Sequence, residues 1–334
     1  MIPLSQPQWQ TETWQQQLSG AFRSLDSLLA ALQLDRAQAP YPLDCEPGFP
    51  LRVPQAFVAR MEPGNWFDPL LLQVLPQARE NEPSPGYSLD PLEEARSNPV
   101  PGLIHKYRGR VLLIASPACA VHCRYCFRRH FPYEDNQPAR ADWQRAIDYI
   151  AAREDISEVI LSGGDPLALN DQRLKELVLT ISEIPHVERL RVHSRLPVVL
   201  PDRLSSSCIA ALSESRLQTV MVIHCNHPNE IDADLAARLG ELRQAGVTLL
   251  NQTVLLAAVN NQPDTLCRLS KKLFNVGVLP YYLHVLDRVQ GSAHFELSDD
   301  VARALHVQMM ETLPGYLVPK LVREDPAIGY KVPL

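Results

Sequence analysis

Residues 110–126 read RVLLIASPACAVHCRYC, an apolar run of strand length that leads directly into three closely spaced cysteines. The run 111–115 is continuously apolar, which is typical of a strand buried on both faces. Cys119, Cys123 and Cys126 follow it within one short loop. Three thiolates at this spacing can hold a cubic iron–sulfur cluster from one side and leave its fourth iron open to another ligand. The stretch therefore predicts a metal-bearing loop at the end of a buried strand.

A structural zinc site is the alternative interpretation of the same cysteines. Structural zinc takes four ligands, and His122 or His130 could supply the fourth. The other four of the 7 cysteines are scattered along the chain, and the total is odd. Scattered, unpaired cysteines do not indicate a disulfide framework, so in a reducing compartment the close group of three points to metal.

The composition favours a protein that acts on small molecules. The 334 residues include 32 basic and 38 acidic side chains, a formal net charge of −6. Such a balance predicts no broad basic surface for nucleic acid or an anionic membrane. No apolar run approaches bilayer length, and the N-terminal MIPLSQPQWQ lacks the basic start and apolar stretch of a signal peptide. We therefore expect no nucleic-acid or membrane partner and a cytoplasmic protein.

From residue 110 onward, apolar runs of strand length alternate with amphipathic segments of helix length. The predicted strands are 111–115, 158–161, 189–193, 219–224, 248–255 and 281–286, and the predicted helices are 143–153, 173–184, 205–213, 232–245, 266–275 and 299–311. Repeated βα units predict an α/β fold with parallel strands, either closed towards a barrel or open as a doubly wound sheet. Residues 1–100 instead predict a helical, proline-rich extension, with helices near 9–18 and 25–34.

Polar and metal-binding residues follow each predicted strand. The carboxyl ends of parallel strands share one edge of a sheet, where active sites form. The residues found there are the three cysteines, the run 162–165 (SGGD), the run 193–195 (HSR), the run 224–227 (HCNH), Gln252 and Asp287. This edge is therefore the predicted site.

The C-x3-C-x2-C spacing, with Tyr125 before the last cysteine, resembles the signature of the radical S-adenosylmethionine (SAM) superfamily. The resemblance implies a partial (βα)6 TIM-like barrel and a [4Fe–4S] cluster on Cys119, Cys123 and Cys126. Its open iron would chelate SAM, which the reduced cluster cleaves to a 5′-deoxyadenosyl radical. By register, the implied SAM-contacting residues are Gly163, Gly164, Asp165, His224 and Gln252. The glycines would also suit an ordinary turn, and the last two residues a hydrogen-bonded core.

Longer segments make the chain similar to the lysine 2,3-aminomutase family over roughly residues 95–334. The similar segments are 105–110, 126–129, 224–231, 283–287 and 314–332. That family also uses pyridoxal 5′-phosphate (PLP), held as a Schiff base to a lysine, and Lys331 occupies this position in the segment PAIGYK, where three of the family's four glycines are replaced. The resemblance implies that Lys106, which replaces an arginine, and Arg110 bind the PLP phosphate. The implied division is an extension (1–100), a barrel (101–311) and a C-terminal segment (312–334) that carries the PLP lysine.

The same resemblance assigns three substrate-binding residues. Arg128 is expected to bind the substrate's α-carboxylate, and Asp287 and Glu324 its ε-ammonium. Glu324 replaces an aspartate of the family, which moves the carboxylate outward by about one bond. Either acid could instead pair with a neighbouring arginine, Arg288 or Arg323.

The implied reaction converts L-lysine to (R)-β-lysine through a 5′-deoxyadenosyl radical that acts on a PLP aldimine. The chain most resembles the short bacterial branch, whose product a lysyl ligase attaches to elongation factor P. The sequence ends three residues after Lys331, without the cysteine-bearing tail that binds zinc in catabolic members, so we expect no zinc site. The other expected partners are a flavodoxin or ferredoxin as electron donor and a second copy of the chain.

Two other functions fit part of the sequence. One is an aminomutase for arginine or glutamate, although two acidic residues in the pocket disfavour an acidic substrate. The other is a non-catalytic iron–sulfur or zinc regulator, which would leave Lys331 and the phosphate-site residues without a role.

Overall fold

The computed structural model describes residues 13–133 and 140–334. Its centre is a nine-stranded sheet in which the strands lie side by side in chain order. The strands are β1 (Leu103–Tyr107), β2 (Arg110–Ser116), β3 (Glu158–Gly163), β4 (Arg189–Ser194), β5 (Gln218–His224), β6 (Thr248–Val254), β7 (Leu279–His284), β8 (Lys320–Glu324) and β9 (Lys331–Pro333). Strands β2 to β8 run parallel, and β1 and β9 pair antiparallel at the two edges.

Helices connect the parallel strands and cover the outer face of the sheet. The N-terminal extension, which precedes the sheet, contains α1 (Trp14–Ser19), α2 (Leu25–Ala31) and α3 (Gln55–Val58). The connecting helices are α4 (Arg140–Ala151), α5 (Asp171–Ser182), α6 (Leu196–Val199), α7 (Ser206–Ser213), α8 (Ala233–Gln244), α9 (Pro263–Asn275) and α10 (Asp299–Thr312). Asn170, Ser205, Asp232 and Ser298 begin α5, α7, α8 and α10, because each side chain accepts a hydrogen bond from a first-turn amide. None of the helices in the described part of the chain is both long and apolar enough to cross a membrane.

The predicted α/β fold is confirmed. The six predicted strands correspond to β2 through β7, and the six predicted barrel helices to α4, α5 and α7 through α10. Three strands were not predicted, namely β1, β8 and β9. They extend the sheet at both edges, so the partial barrel contains more strands than its six βα units.

Side chains alternate between the helices and the interior of the curved sheet. On β4, Leu190 and Val192 join the core beneath the helices. Successive side chains on a strand point to opposite faces. Arg191 and His193 therefore face the interior, where the polar residues of the site collect.

The curl of the sheet brings its two edges together without joining their backbones. Lys106 on β1 lies 3.4 Å from the carboxylate of Glu324 on β8, and the hydroxyl of Tyr107 donates a hydrogen bond to the same carboxylate. Side chains thus connect the first strand to the last two. Backbone hydrogen bonds do not close the sheet into a complete barrel, but side-chain contacts join its first strand to its last strands.

The N-terminal extension shares its hydrophobic core with the barrel. Leu28, Phe57 and Leu71 from the extension belong to the same buried cluster as Leu113 and Leu190 from the sheet. The helix predicted at 9–18 begins at Trp14, and residues 1–12 lie outside the described residues. The helix predicted at 25–34 ends at Ala31. The three-part division of the chain stays a prediction.

Two glycines at the end of β3 press against the loop that leads to the cysteines. Gly163 has φ +120°, and a Cβ there would lie 2.5 Å from the Ser116 carbonyl oxygen. A Cβ on Gly164 would lie 2.4 Å from the Pro117 oxygen and 2.7 Å from that of Ala118. The Gly164 amide donates to the Ser116 oxygen at 2.8 Å. Only glycine permits this approach, so the pair fixes where the cysteine loop begins.

We expect Gly164→Ala to displace the cysteine loop, because its methyl group would meet backbone oxygens that cannot move aside cheaply. The free energy of unfolding should fall by about 1–3 kcal/mol in urea titrations, with less iron bound after reconstitution. The matched control is Gly240→Ala on α8, where a Cβ meets nothing within 4 Å. This control should gain about 0.5–1 kcal/mol from helix propensity. Equal stability of Gly164→Ala and wild type would contradict the packing argument.

Candidate active site

The three cysteines lie together on the loop after β2 as free thiols. Burial raises the pKa of Cys119 well above its usual value, and the neighbouring Cys126 and Cys123 raise it further. Burial also raises the pKa of Cys126 to about 11, with Cys123 adding to the effect. Thiols that resist ionisation alone become thiolates when a metal stabilises their charge. Among the described residues no three His, Cys, Asp or Glu side chains lie close enough to share a single metal ion. Three thiols on one loop instead suit a cubic iron–sulfur cluster, in which each cysteine binds a different iron.

The histidines that could complete a zinc site are engaged elsewhere. The Nδ1 of His122 lies 2.8 Å from the Pro50 carbonyl oxygen, and the Nε2 of His130 lies 3.2 Å from that of Gln290. Both rings thus contact backbone oxygens of other segments. These contacts do not favour a fourth protein ligand from either histidine.

A buried carboxylate from the extension anchors the cysteine loop. Glu80 accepts hydrogen bonds from Arg124 Nε at 2.9 Å and from Arg129 Nη2 at 2.9 Å. Arg124 also donates to the Phe49 carbonyl oxygen at 2.8 Å. Arg124 is 1% exposed, and a buried guanidinium left without its carboxylate is strongly destabilising. The extension therefore holds the loop in place.

Arg128, predicted to bind the substrate carboxylate, is occupied by a carboxylate of the chain itself. Its Nε and Nη2 donate to the two oxygens of Glu94 at 2.8 Å and 2.6 Å. Its Nη1 donates to Ser162 Oγ at 3.0 Å and to the Gly163 oxygen at 3.3 Å. Burial alone would lower the pKa of Arg128, but Glu94 holds it above its usual value. The Arg128 guanidinium group is therefore charged, and two of its nitrogens donate to a carboxylate.

Asp165 ties the end of β3 to the end of β4. Its carboxylate accepts hydrogen bonds from Ser194 Oγ at 2.7 Å and from the amides of Arg195 at 2.9 Å, Leu196 at 3.0 Å and Leu167 at 3.0 Å. Burial raises the pKa of Asp165 to about 6 even though these donors oppose the rise. The side chain orients the loops around the predicted SAM site, and Arg195, which it fixes, places its Nη1 2.6 Å from Cys123 Sγ.

His224 and Gln252 meet across β5 and β6. The His224 Nε2 lies 2.6 Å from the Gln252 side-chain nitrogen. Burial lowers the pKa of His224 to about 3, and nearby cations lower it further, so the ring is neutral. The Nε2 atoms of His193 and His284 are buried without a hydrogen-bond partner among the described residues. Buried polar atoms without partners are costly unless a ligand satisfies them, so this interior suits a polar ligand.

Glu324, Lys331, Lys106 and Tyr107 form one group at the meeting point of the sheet edges. The Lys331 Nζ lies 2.5 Å from Glu324 Oε2 and 5.5 Å from the centre of the Tyr282 ring. Burial would raise the pKa of Glu324, but Lys331, the Tyr107 hydrogen bond and Lys106 outweigh it and hold the value at about 2. The carboxylate is therefore ionised, and an ammonium already sits on it.

A cavity of about 60 Å³ adjoins this group. Its lining includes Glu94, Lys106, Arg110 and Glu324. The Arg110 guanidinium stacks 4.2 Å from the centre of the Tyr107 ring. Lys106 and Arg110 are two cations of the kind that bind a phosphate group, and Lys331 contacts Glu324 on the cavity lining.

Asp287 is enclosed at the end of β7. Burial raises its pKa to about 7, and Glu324 raises it further, whereas Lys331 and Lys106 lower it. The arginines that could have neutralised the two predicted acids have other partners. Arg288 pairs with Glu296 at 2.7 Å, and Arg323 pairs with Asp299 at 2.5 Å. Neither arginine therefore pairs with Glu324, which lines the cavity.

Sequence reasoning missed Glu80, Glu94 and Tyr107 as site residues. Glu80 and Glu94 lie in the proline-rich extension, which has no periodicity to place them. Tyr107 lies in the similar segment 105–110, so it could have been found by its position. Arg195 belongs to the run 193–195, which the sequence placed at the site edge without a role of its own.

Comparisons with known proteins identify the relatives of the chain. A family model described as the radical SAM superfamily matches residues 113–250. The L-lysine 2,3-aminomutase of Escherichia coli (strain K12) is 48% identical over 97% of this chain and 94% of that protein. The L-lysine 2,3-aminomutase of Haemophilus influenzae is 49% identical over 94% of this chain and 93% of that protein. The protein of the same name from Clostridium subterminale is 33% identical over 96% of this chain and 77% of that protein.

We expect the Glu324 ion pairs to stabilise the fold in a pH-dependent way. The folded-state pKa of about 2 lies below the ordinary 4.5. The contribution is therefore present above pH 4.5 and is lost as pH falls towards 2. Glu324→Gln should reduce the free energy of unfolding by roughly 2–3 kcal/mol near neutral pH and by much less in acid, measured by urea titration. Glu214→Gln, in an exposed pair with Lys175, should change it by less than about 0.5 kcal/mol. A Glu324→Gln deficit that stays constant with pH would exclude the pairing.

Proposed function

The chain belongs to the L-lysine 2,3-aminomutase family of radical SAM enzymes, and on that premise we propose that it is an isomerase that converts L-lysine to (R)-β-lysine. The observation that carries the proposal is the pair of charges already seated in the site. A carboxylate, Glu94, occupies the Arg128 fork, and an ammonium, Lys331, occupies the Glu324 carboxylate. A molecule with a carboxylate at one end and an ammonium at the other is complementary to both.

Each cofactor of the family has residues of suitable chemistry. Cys119, Cys123 and Cys126 would hold the [4Fe–4S] cluster. Gly163, Gly164, Asp165, His224 and Gln252 would surround SAM, with Asp165 acting as a positioning residue through its four hydrogen bonds. Lys331 would hold PLP covalently, with Lys106 and Arg110 on its phosphate. When bound, the reduced cluster and SAM supply the radical that removes a substrate hydrogen, and PLP carries the migrating amino group.

The charges of the chain control when Lys331 can act. Its Nζ must lose a proton before it can bind a carbonyl carbon. The Nζ lies 2.5 Å from the Glu324 carboxylate. A phosphate on Lys106 and Arg110 would draw Lys106 away from Glu324, and Asp287, with a pKa of about 7, can accept a proton at neutral pH.

Asp287 also suits recognition of the substrate ε-ammonium. A carboxyl group with a pKa of about 7 is only partly ionised at neutral pH. A cation beside it favours the ionised form, so ammonium binding and proton release are coupled. A substrate with a second carboxylate would meet Asp287, Glu324 and Glu94 together, which opposes glutamate.

The product is proposed to serve the lysyl ligase that modifies elongation factor P. Support comes from the relatives at 48% and 49% identity, which this chain covers over 94% and 93% of their length, whereas it covers 77% of the Clostridium protein. The test is coexpression with elongation factor P and that ligase in cells lacking their own aminomutase. The expected result is an elongation factor P mass increased by one lysyl residue; an unmodified factor would reject this destination.

The main test is anaerobic turnover. Protein reconstituted with iron, sulfide and PLP should convert L-lysine to (R)-β-lysine when dithionite and SAM are added, as resolved by chiral chromatography. Cys126→Ala should lose iron and SAM cleavage, whereas Lys331→Ala should keep the cluster but lose the visible absorbance of lysine-bound PLP. SAM cleavage without β-lysine would reject lysine as the substrate, and L-arginine offered in parallel would identify that alternative.

We expect Glu94→Gln to tighten substrate binding, because the neutral amide competes less well than a carboxylate for Arg128. The KM for L-lysine should fall roughly tenfold, the size expected for a charged hydrogen bond. The variant should also unfold at lower urea, since Arg128 loses its counter-charge. Glu93→Gln is the matched control, because Glu93 pairs with the exposed Arg96. An unchanged or raised KM would show that Glu94 and the substrate do not compete.

A further inference from the structure

Two arginines of the extension lie beside the cysteine loop on its outer side. Phe22 and Val53 exchange backbone hydrogen bonds of 2.8 Å and 3.0 Å as an antiparallel pair. Arg23 and Arg52 are the next residues on the two segments. Opposed residues of an antiparallel pair project to the same face, so their guanidinium groups share one surface.

This surface contacts the loop that carries the three cysteines. The amide of His122 donates to the Arg52 carbonyl oxygen at 2.9 Å, and His122 lies between Cys119 and Cys123 in the loop. The His122 ring stacks on Phe49, 5.0 Å between centres. Arg23 is exposed, and so is Ala118, which precedes Cys119. The cluster loop therefore reaches solvent beside these arginines.

The charge of this surface is positive and not locally neutralised. Burial lowers the pKa of Arg52, and the charge of Arg23 lowers it further, while the Cys119 thiol opposes them. The Arg52 Nε is buried without a hydrogen-bond partner among the described residues. Two cations thus stand beside the loop in a chain whose formal net charge is −6.

A local basic surface on an acidic chain selects an acidic partner. Such a partner is repelled by the net negative charge of the molecule and attracted by these arginines, so charge both steers it and sets its orientation. The proposed function requires a one-electron donor, and electron transfer falls steeply with distance. The surface beside Cys119 offers a short route to the cluster.

We propose, resting on the proposed function, that Arg23, Arg52 and the exposed side of the cysteine loop form the docking surface for an acidic one-electron carrier protein. The carrier is oxidised by one electron, and the cluster is reduced by that electron. No atom or proton needs to cross the interface. Binding itself requires only the protein surface, so it can be measured without turnover.

The test measures binding of an oxidised, acidic flavodoxin to the reconstituted protein by calorimetry at low ionic strength. Arg23→Glu should weaken the Kd about tenfold, and the difference should fade at high salt because exposed charges are screened. Arg52→Gln should weaken it about threefold. Arg153→Glu is the control. Arg153 is exposed after α4 near the amino end of β3, whereas the cysteine loop follows the carboxyl end of β2. It should bind like wild type.

A second readout separates docking from catalysis. Arg23→Glu should keep wild-type SAM cleavage with dithionite, which needs no docking surface, and should lose rate only with reduced flavodoxin. Flavodoxin affinity that is equal in Arg23→Glu and wild type, or equally weakened by Arg153→Glu, would overturn the docking surface. Absent SAM cleavage in wild type with dithionite would instead reject the proposed function, and the binding measurement would still decide the docking proposal.

Discussion

The carboxylate of Glu324 is the point on which the site's geometry depends. It lies on β8 and contacts Lys331 on β9 and both Lys106 and Tyr107 on β1. The backbone ladder runs from β1 to β9 in chain order and does not close the curl. One ionised side chain therefore joins the two edges of the sheet, and the residues that it gathers are those expected to hold PLP. Closure of the barrel and assembly of the cofactor site are the same set of contacts.

The buried charges of the site are neutralised by other residues of the chain. Arg128 is buried, and a buried cation without a counter-charge is strongly unfavourable. Glu94 supplies that charge, and Glu324 does the same for Lys331. On the proposed function, a substrate with a carboxylate and an ammonium would replace these internal partners with equivalent ones, so each buried charge would keep a partner. Specificity then follows from charge order along the cavity, since a molecule with the wrong sign at either end leaves two like charges in contact.

Much of the fold could be predicted because its signal is local. Apolar runs alternating with amphipathic segments identified β2 through β7 and their helices, and strand ends identified where polar residues meet. Strands β1, β8 and β9 were not predicted, because they carry charged or polar residues such as Lys106 and Lys331. The burial of these residues depends on partners distant in the chain. Glu80 and Glu94 escaped for the same reason, since a carboxylate in an aperiodic, proline-rich segment shows its role only when the buried arginine it meets is known.

The N-terminal extension contributes charged residues to the candidate site as well as apolar residues to the core. It supplies Glu80 to the arginines of the cysteine loop, Glu94 to the substrate fork, and Arg52 to the outer side of the cluster. Removing it would leave Arg124 and Arg128 buried without their carboxylates, at a cost on the order of 3–5 kcal/mol for each broken pair. That sum approaches the whole stability of a typical domain. The barrel is therefore not expected to fold into its active form alone, and the segment with the weakest sequence signal is the one that its charged core requires.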